Sequence, residues 1–506
     1  NGGNCDSAAL CTAPGTQMNL QFWVQTLTAN GFKPDFDPGP TAAVSLVGNV
    51  QVTPSNLVVT GGNEALNVTW DWGDINIATD TALVGVQLFC QRGADTPVFP
   101  TGTFAPAYQT PSILCPDNKT AVAAATNTGG PFANLDPMYL CSGIIPANSK
   151  SHRITGLQNG IEYGVGVAAV DRYYNIGAIT NIVYEQPIPT VDFYTYYKDD
   201  AHGAAQGGYC ALSGQHARPG AAALLVLAGL ALGVRLRRRS KRRPPGAGTL
   251  VLLVAAGTLS AGPAQAQPLY HDSSFVQDSA SEAWEGSARE FAIEARFGLY
   301  TPNVDSAFSG KGPKPQADIF GSKRRPMWQL EFDWEFLKEF GTLALGGVIG
   351  YYKENAEACT LAGLKQDPPI CERSGDNTSL RLIPLAALLI YRLDEGASHW
   401  HIPLVPYAKI GLNYTIWTVS NGNGDVAWSG GSKGQGGTMG WQAAVGLSLQ
   451  LDFIDPGASR EFDADSGVNH TYAFFELAHI DASGLYRKDA LRVGDNTWFA
   501  GLMFEF

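Results

Sequence analysis

The sequence Asp495-Asn-Thr-Trp-Phe-Ala-Gly-Leu-Met-Phe-Glu-Phe506 closes the chain with apolar residues at every second position. Residues two apart lie on the same face of a strand. The residues that share the apolar face are Trp498, Ala500, Leu502, Phe504 and Phe506. The other face is mixed and carries Glu505. A strand that is apolar outside and mixed inside suits a β-barrel whose exterior contacts lipid.

Seven further segments of strand length and alternating character precede this one. Together with the last, the predicted strands cover residues 289–300, 326–338, 341–354, 378–394, 402–418, 438–453, 470–481 and 496–506. In the second segment, Trp328, Leu330 and Phe332 alternate with Glu331 and Asp333. Carboxylates at this density would cost several kcal/mol each in a soluble core, so a polar lumen explains them better. We therefore predict an eight-stranded antiparallel transmembrane barrel over residues 285–506.

The aromatic end of the chain resembles bacterial outer-membrane β-barrels, whose last strand is read by the barrel assembly machinery. The resemblance implies that Trp498, Phe504 and Phe506 form the assembly signal, and that the partners are this machinery and the lipid bilayer. Residues 285–506 look like the small eight-stranded outer-membrane barrels of myxobacteria and their relatives. This points to the outer membrane or cell surface.

The lumen of an eight-stranded barrel is just wide enough for side chains. The charged residues predicted to form a hydrated ionic network inside it are Glu294, Arg296, Glu331, Asp333, Lys409, Asp452 and Glu476. A structural filling of the lumen is favoured over a proton or small-cation path. The residues predicted to form the aromatic girdles are Tyr351, Tyr407, Tyr414, Trp417, Trp498 and Phe506.

Connection lengths orient the barrel. The connections near residues 338–342 and 394–401 are short and are predicted to lie on the periplasmic side, whereas 356–376 and 420–437 are longer and are predicted to be external. Cys359 and Cys371 share one external connection, so a local disulfide is expected.

Residues 45–187 consist of short alternating runs bounded by Gly, Pro, Asn and Asp, which predicts an immunoglobulin-like β-sandwich after an N-terminal extension at residues 1–44. Residues 151–184 resemble strands E to G of fibronectin type III domains, which implies a tyrosine corner at Leu157 and Tyr163. One pair among Cys90, Cys115 and Cys141 is expected to form a disulfide, and Cys5 is expected to pair with Cys11.

The aromatic residues of segment 192–197 have two interpretations. They could bind a sugar or a protein partner, or they could pack against the last strand of the sandwich.

Residues 205–243 resemble the myxobacterial C-terminal sorting tail (MYXO-CTERM): Gly207, Gly208 and Cys210 at the end of a linker, 188–219, are followed by an apolar helix and an arginine cluster in 220–243. The resemblance implies processing and surface anchoring at Cys210. An ordinary single-pass anchor is the alternative.

A second apolar segment, 244–266, has the composition of a secretory signal peptide, with Ala264 and Ala266 as the cleavage motif, and a polar linker, 267–284, follows it. The chain thus reads as two exported proteins joined by one or two short hydrophobic helices. Cleavage is favoured over an uncleaved helical hairpin.

A net charge of −12 and the scattered arrangement of eight cysteines argue against nucleic-acid binding and against zinc motifs. No cofactor or metal is expected, because His399 and His401 lack a third ligand and the glycine-rich stretch 430–437 lacks the flanks of a phosphate loop.

We therefore predict a non-enzymatic cell-envelope protein with a structural or adhesive role and a surface protein or polysaccharide as candidate partner. A small transport or ligand-binding barrel is one alternative. An envelope hydrolase built on His479, Asp481 and Ser483 is the other.

Overall fold

The computed structural model describes residues 17–25, 27–28, 31–32, 37–45, 53–73, 83–93, 96–107, 135–171, 176–209, 289–308, 312–366, 370–400, 402–485 and 489–506. The expected hydrophobic helices, Cys210, Ala264, Ala266 and the expected Cys5–Cys11 pair lie outside these residues. The described chain is mainly β, with a sandwich followed by a closed barrel. Among the described helices, none is both long enough and apolar enough to cross a membrane.

The first half contains fourteen strands within the described residues. They are β1 (Gln17–Val24), β2 (Leu27–Thr28), β3 (Gly31–Phe32), β4 (Asp37–Ser45), β5 (Ser55–Gly62), β6 (Ala65–Asp71), β7 (Leu83–Arg92), β8 (Thr96–Pro97), β9 (Ile145–Pro146), β10 (Ser151–Thr155), β11 (Tyr163–Asp171), β12 (Ile176–Ile179), β13 (Val183–Glu185) and β14 (Thr190–Val191). Strands β10, β6 and β5 form one sheet, and β12, β11, β7 and β8 form the spine of the other. We call residues 53–188 the module.

The two sheets of the module share one apolar core. Leu66 and Val68 of one sheet pack with Leu88 and Val167 of the other, and all four are fully buried. Each of these strands alternates, so every second side chain reaches the space between the sheets. A disulfide joins Cys90 to Cys141.

The tyrosine corner is present in the module. The hydroxyl of buried Tyr163 accepts a hydrogen bond from the backbone N–H of Gln158 at 3.0 Å. Leu157 is buried beside it in the same core. This arrangement fixes the chain where it crosses from one sheet to the other.

The described part of the second half contains ten strands. They are β15 (Phe291–Tyr300), β16 (Arg325–Leu337), β17 (Thr342–Thr360), β18 (Arg373–Arg392), β19 (Leu404–Ser420), β20 (Trp428–Ser429), β21 (Ser432–Lys433), β22 (Gln435–Gln450), β23 (His470–Asp481) and β24 (Asp495–Glu505). All except β20 and β21 pair antiparallel in chain order, and β24 pairs with β15. The predicted eight-stranded barrel is therefore closed.

The barrel has an apolar exterior and a polar interior. On β16 the outward Trp328 and Leu330 are 61% and 56% exposed, whereas the inward Glu331 and Asp333 are at most 1% exposed. This is the reverse of a soluble protein, in which apolar residues fill the interior. The pattern matches the alternation expected for a barrel in lipid.

The two ends of the barrel differ. The end that carries both barrel termini, here called the termini end, has the connections after β16, β18 and β22. The opposite end, here called the loop end, has the other four. The helical segments outside the module are Phe193–Thr195, Tyr196–Asp200, Val304–Ala307, Gln316–Phe320, Leu361–Leu364, Glu395–Trp400 and Pro456–Ser466. Helix Pro456–Ser466 begins at Asp455, whose carboxylate accepts from two backbone N–H groups, and ends at Gly467 with a φ of 73°.

Two expectations differ from the structure at the strands. First, β17 continues to Thr360 and β18 begins at Arg373, so residues 356–360 and 373–376 of the connection predicted as a loop extend the strands into a ribbon, which the disulfide Cys359–Cys371 closes. Apolar–polar alternation marks a strand only while its two faces meet different surroundings. Both faces of this ribbon carry polar residues, such as the outward Glu357 and Asn377 and the inward Asp376.

Second, Tyr407 and Trp417 face the interior of the barrel instead of joining a girdle. They share the inward face of β19 with Lys409 and are at most 6% exposed. The Tyr407 hydroxyl donates to Glu476, and the Trp417 ring contacts the Tyr194 ring. A local pattern does not reveal contacts between such distant parts of the chain. Tyr351 and Trp498 do face outward.

Candidate functional site at the lumen and the barrel mouth

Five charged side chains from four strands meet in the barrel lumen. The Arg296 guanidinium lies 2.8 Å from Glu331 and 2.9 Å from Glu476. The Lys409 ammonium lies 2.6 Å from Glu294 and 2.8 Å from Glu331. Each of these five side chains is at most 2% exposed. Buried ions at such distances compensate one another's loss of hydration.

The network extends toward the termini end through Arg392. This guanidinium pairs with Asp333, with Glu335 at 2.6 Å and with Glu294 at 3.4 Å. Beyond it, Arg289 lies 3.7 Å from Glu505. Arg392 and Glu335 are not among the seven residues predicted for the lumen network. Alternation along β16 does place Glu335 on the same face as Asp333.

Six of the seven predicted lumen residues come together in this network, and Asp452 does not. Asp452 lies two residues after Gln450, the last residue of β22, in the turn at the termini end. It accepts hydrogen bonds from Gln450 at 2.8 Å and from the Thr471 backbone at 3.2 Å, and pairs with His470. Alternation no longer sets the direction of a side chain once the strand has ended.

One group of lumen carboxylates has the spacing of a cation site. The oxygens of Glu294, Glu331 and Asp333 lie within 4.8 Å of one another. The ammonium of Lys409 already contacts two of these residues, so the protein supplies its own cation there. The cavity that remains beside Arg296 has about 10 Å³, room for roughly one water molecule. This geometry fills the lumen with side chains.

The loop end is occupied by a segment from the first half of the chain. We call residues 190–209 the mouth segment. Its first strand, β14, pairs with Thr360 and Cys359 of β17. Its last residues return to β22, where the Gly208 N–H donates to Gln435 at 2.9 Å and the Gly208 carbonyl accepts from Gly437 at 3.1 Å.

The aromatic residues of the mouth segment are buried in the barrel mouth. Phe193, Tyr194, Tyr196 and Tyr197 are at most 3% exposed and belong to one apolar cluster with barrel residues. Ring centroids lie 5.0 Å apart for Phe193 and Phe320, 6.1 Å for Tyr194 and Trp417, and 5.6 Å for Tyr197 and Phe308. Of the two interpretations for segment 192–197, packing against the last sandwich strand does not describe this arrangement: the aromatic residues bind the barrel.

The polar groups of these rings also find partners. The Tyr194 hydroxyl lies 2.7 Å from the Ser432 hydroxyl, and the Tyr196 hydroxyl donates to Asp318 at 3.0 Å. Burial and the nearby Asp318 carboxylate raise the pKa of Tyr196. Burial raises the pKa of Asp192 as well, although its carboxylate accepts from the backbone of Tyr194. The segment is therefore held by directed bonds as well as by apolar burial.

Glycine is required where the mouth segment crosses β22. A Cβ on Gly207 would lie 2.3 Å from the Lys433 carbonyl oxygen and 3.0 Å from that of Gln435. Gly207, one of the predicted sorting residues, thus has a packing role at the barrel mouth, and Gly208 has a φ of 139°, which favours glycine. Cys210, the next predicted residue, lies outside the described residues.

The module contacts the barrel at Asp376, near the tip of the β17–β18 ribbon. One carboxylate oxygen pairs with the Arg153 guanidinium, and the other accepts from the Thr190 hydroxyl at 2.7 Å and from the Asn63 backbone at 2.9 Å. The neighbouring Gly375 carbonyl accepts from the Asn67 side chain at 2.9 Å. Both ionic partners are mostly buried, with side chains 17% and 3% exposed for Arg153 and Asp376.

The exterior of the barrel changes character toward the loop end. Trp328 and Tyr351 are opposite each other on β16 and β17 and are both exposed. Two residues farther along, Lys353 is opposite Arg381, and both face outward. Exposed aromatic rings followed by cations are typical of the boundary between hydrocarbon and water. Asp376 lies five residues beyond Arg381, about 16 Å along the strand.

The residues considered for a hydrolase do not form a catalytic group. His479 is on the outward face of β23, and its imidazole contacts the Asn496 side chain and the Trp441 ring. Asp481 lies two residues further on the same face, so its carboxylate does not orient the imidazole. The side chain of His399 and all of His401 lie outside the described residues.

Comparison with protein-family models gives no match, and comparison with curated proteins gives none. Among solved structures, the chain is similar to the chicken CNTN1 FN1–FN3 domains, with 13% identity, a TM-score of 0.20, and a match over 34% of this chain and 43% of that one. It is also similar to the N-terminal β-barrel domain of Pseudomonas aeruginosa OprF, with 14% identity, a TM-score of 0.19, and a match over 43% of this chain and 100% of that one. The chain thus spans less than half of the CNTN1 fragment. These two similarities fall on different architectures, a fibronectin domain set and an outer-membrane barrel.

Proposed function

We propose that the protein is a non-enzymatic cell-envelope protein in which an outer-membrane barrel holds the fibronectin-like module at the cell surface. The observation that carries the proposal is the occupied mouth: residues of the first half seal the loop end and attach the module to it. With both barrel termini in the periplasm, the loop end and the module face the outside. The role of the protein is then structural or adhesive.

The chemistry of the barrel supports an anchoring role. Its exterior is apolar over the width of the strands, its lumen holds a compensated ionic network, and its mouth is closed by aromatic rings. The bilayer and the barrel assembly machinery are the partners in the membrane, and Trp498, Phe504 and Phe506 carry the assembly signal. A surface protein or polysaccharide is the partner of the module.

Epitope insertion in intact cells tests the placement. A tag at Gly102, in an exposed turn of the module, should bind antibody on intact cells. A matched tag in helix Pro456–Ser466 at the termini end should bind only after the outer membrane is permeabilised. Antibody access to the helix tag in intact cells would contradict the proposed orientation.

Planar-bilayer recording tests the sealed lumen. Purified full-length protein should give no ion conductance, because side chains fill the lumen and the mouth segment covers it. Steady single-channel steps would instead support the alternative of a small transport barrel.

A further inference from the structure

The two described ends of the central connection lie on opposite ends of the barrel. Tyr209, the last described residue of the first half, is at the loop end, where its carbonyl accepts from the Tyr414 hydroxyl. Arg289, the first described residue of the second half, is at the termini end, where its carbonyl accepts from Lys338. The lumen between these ends is filled, so the connection cannot pass through the barrel.

In a membrane, this placement puts the two ends of residues 210–288 on different sides of the hydrocarbon layer. Contacts with the barrel hold the Tyr209 end at the mouth: Gly208 pairs with the backbone of Gln435 and Gly437, and the Tyr209 carbonyl accepts from the Tyr414 hydroxyl. The position of the module must therefore come from the contacts at the mouth.

Those contacts have the features of recognition between separate chains. The mouth segment adds a strand to β17, as in peptide recognition by strand addition. It inserts buried aromatic anchors into the mouth, the residue type that dominates binding energies at interfaces. Arg153 and Asp376 add a desolvated charge pair beside them.

We infer that the loop end of the barrel is a receptor site for the module and its mouth segment, and that this interface holds the two halves together without the peptide connection. The ligand of this site is a folded β-sandwich with a C-terminal extension that carries the buried aromatic residues and the glycine pair 207–208. The placement of Tyr209 and Arg289 on different sides of a membrane rests on the proposed function. The contacts that form the interface do not.

The test uses the full chain with a site for a sequence-specific protease inserted between residues 267 and 284 and an affinity tag on the module. After cleavage in detergent, the two fragments should leave a gel-filtration column together. Asp376→Ala should raise the dissociation constant by about 30-fold or more. Asp71→Ala, which removes the exposed ion pair with Lys150, should leave it unchanged.

Separation of the cleaved wild-type fragments, with the barrel still resistant to detergent denaturation and the module still folded, would overturn the inference. Equal affinities for the Asp376→Ala and wild-type proteins would overturn the assigned interface. Fragments that stay together while the barrel remains soluble without detergent would instead defeat the proposed membrane function and leave the receptor site intact.

Discussion

Arg153 of the module and Asp376 of the barrel form an ion pair across 223 residues of sequence. The Asp376 carboxylate also accepts from Asn63 and Thr190, so three elements of the first half converge on one barrel residue. Gly62 and Gly422 leave room for the Asp376 carboxylate because they have no Cβ. A Cβ on Gly62 would lie 2.0 Å from an Asp376 oxygen, and one on Gly422 would lie 2.6 Å from its carboxyl carbon. The pair therefore fixes the orientation of the module on the barrel.

Removing the Asp376 carboxylate should loosen the module. Asp376→Ala leaves the Arg153 guanidinium mostly buried and without its charged partner, which costs about 2–5 kcal/mol of docking free energy. Hydrogen exchange of the intact protein should then accelerate in residues 193–200, which the docking protects. The control Asp71→Ala should leave these rates unchanged. Acceleration equal in both variants would show that the pair does not hold the module.

Docking should depend on pH through Asp376. Burial opposes ionisation of this carboxyl, but hydrogen bonds from Arg153, Asn63 and Thr190 lower its pKa below the ordinary value of 3.8. A lowered pKa means that the contribution to stability is complete above the ordinary value and is lost as the pH falls through the lowered one. Exchange protection of residues 193–200 should thus be constant from pH 7 to about 5 and fall below about 4. In Asp376→Asn this acid dependence should disappear, whereas its persistence would assign the effect to another group.

A side chain at position 207 should displace the end of the mouth segment. Gly207→Val places a branched side chain at a position where even a Cβ would lie 2.3 Å from the Lys433 carbonyl oxygen and 3.0 Å from that of Gln435. Backbone atoms must then shift to relieve the clash. We expect a docking loss of about 1–3 kcal/mol, measured as the dissociation constant of the cleaved halves. Gly143→Val is the matched control, since a Cβ there meets nothing within 4 Å. A similar effect of both substitutions would contradict a steric role for Gly207.

Removing the lumen ammonium should destabilise the barrel itself. Lys409→Met leaves Glu294 and Glu331 without the cation that lies between them. Breaking a buried ion pair in this way costs about 3–5 kcal/mol, which urea unfolding in lipid vesicles should show. The matched control Lys365→Met removes an exposed ammonium and should change stability little. Equal stabilities of the two variants would mean that the lumen network is hydrated enough to screen the loss.

The alternation of apolar and polar residues predicted much of the barrel, because the direction of a strand side chain depends only on its position along the strand. A strand between lipid and a polar lumen must alternate, so β23 was predicted at its observed bounds, His470–Asp481, and the other strands within a few residues near the membrane. The same rule failed where its cause was absent. Beyond Lys353 and Arg381 both faces of the ribbon carry polar residues, and Asp452 lies past the end of its strand.

The mouth segment shows the reverse case. Five aromatic or apolar residues from Val191 to Tyr197 indicate that this segment packs against another part of a protein. The sequence does not show which surface it contacts. The partner rings Phe320 and Trp417 lie more than a hundred residues away and carry no signal of their own. The sequence predicts that the glycine pair 207–208 is part of a sorting motif, and the structure adds a close backbone approach that requires Gly207.

By itself, the sequence determined the class of each half. Period-two alternation with carboxylates inside indicates a barrel with an apolar exterior, and short bounded strands with a tyrosine corner indicate a sandwich. These features depend on the solvent that each strand face meets, and a few neighbouring residues encode that choice. Only the tertiary structure decided that the halves bind each other. Asp376, Arg153 and the aromatic residues of the mouth segment meet their partners only after the barrel closes and the sheets of the module pack. These partners are too far apart in sequence for a local pattern to reveal them.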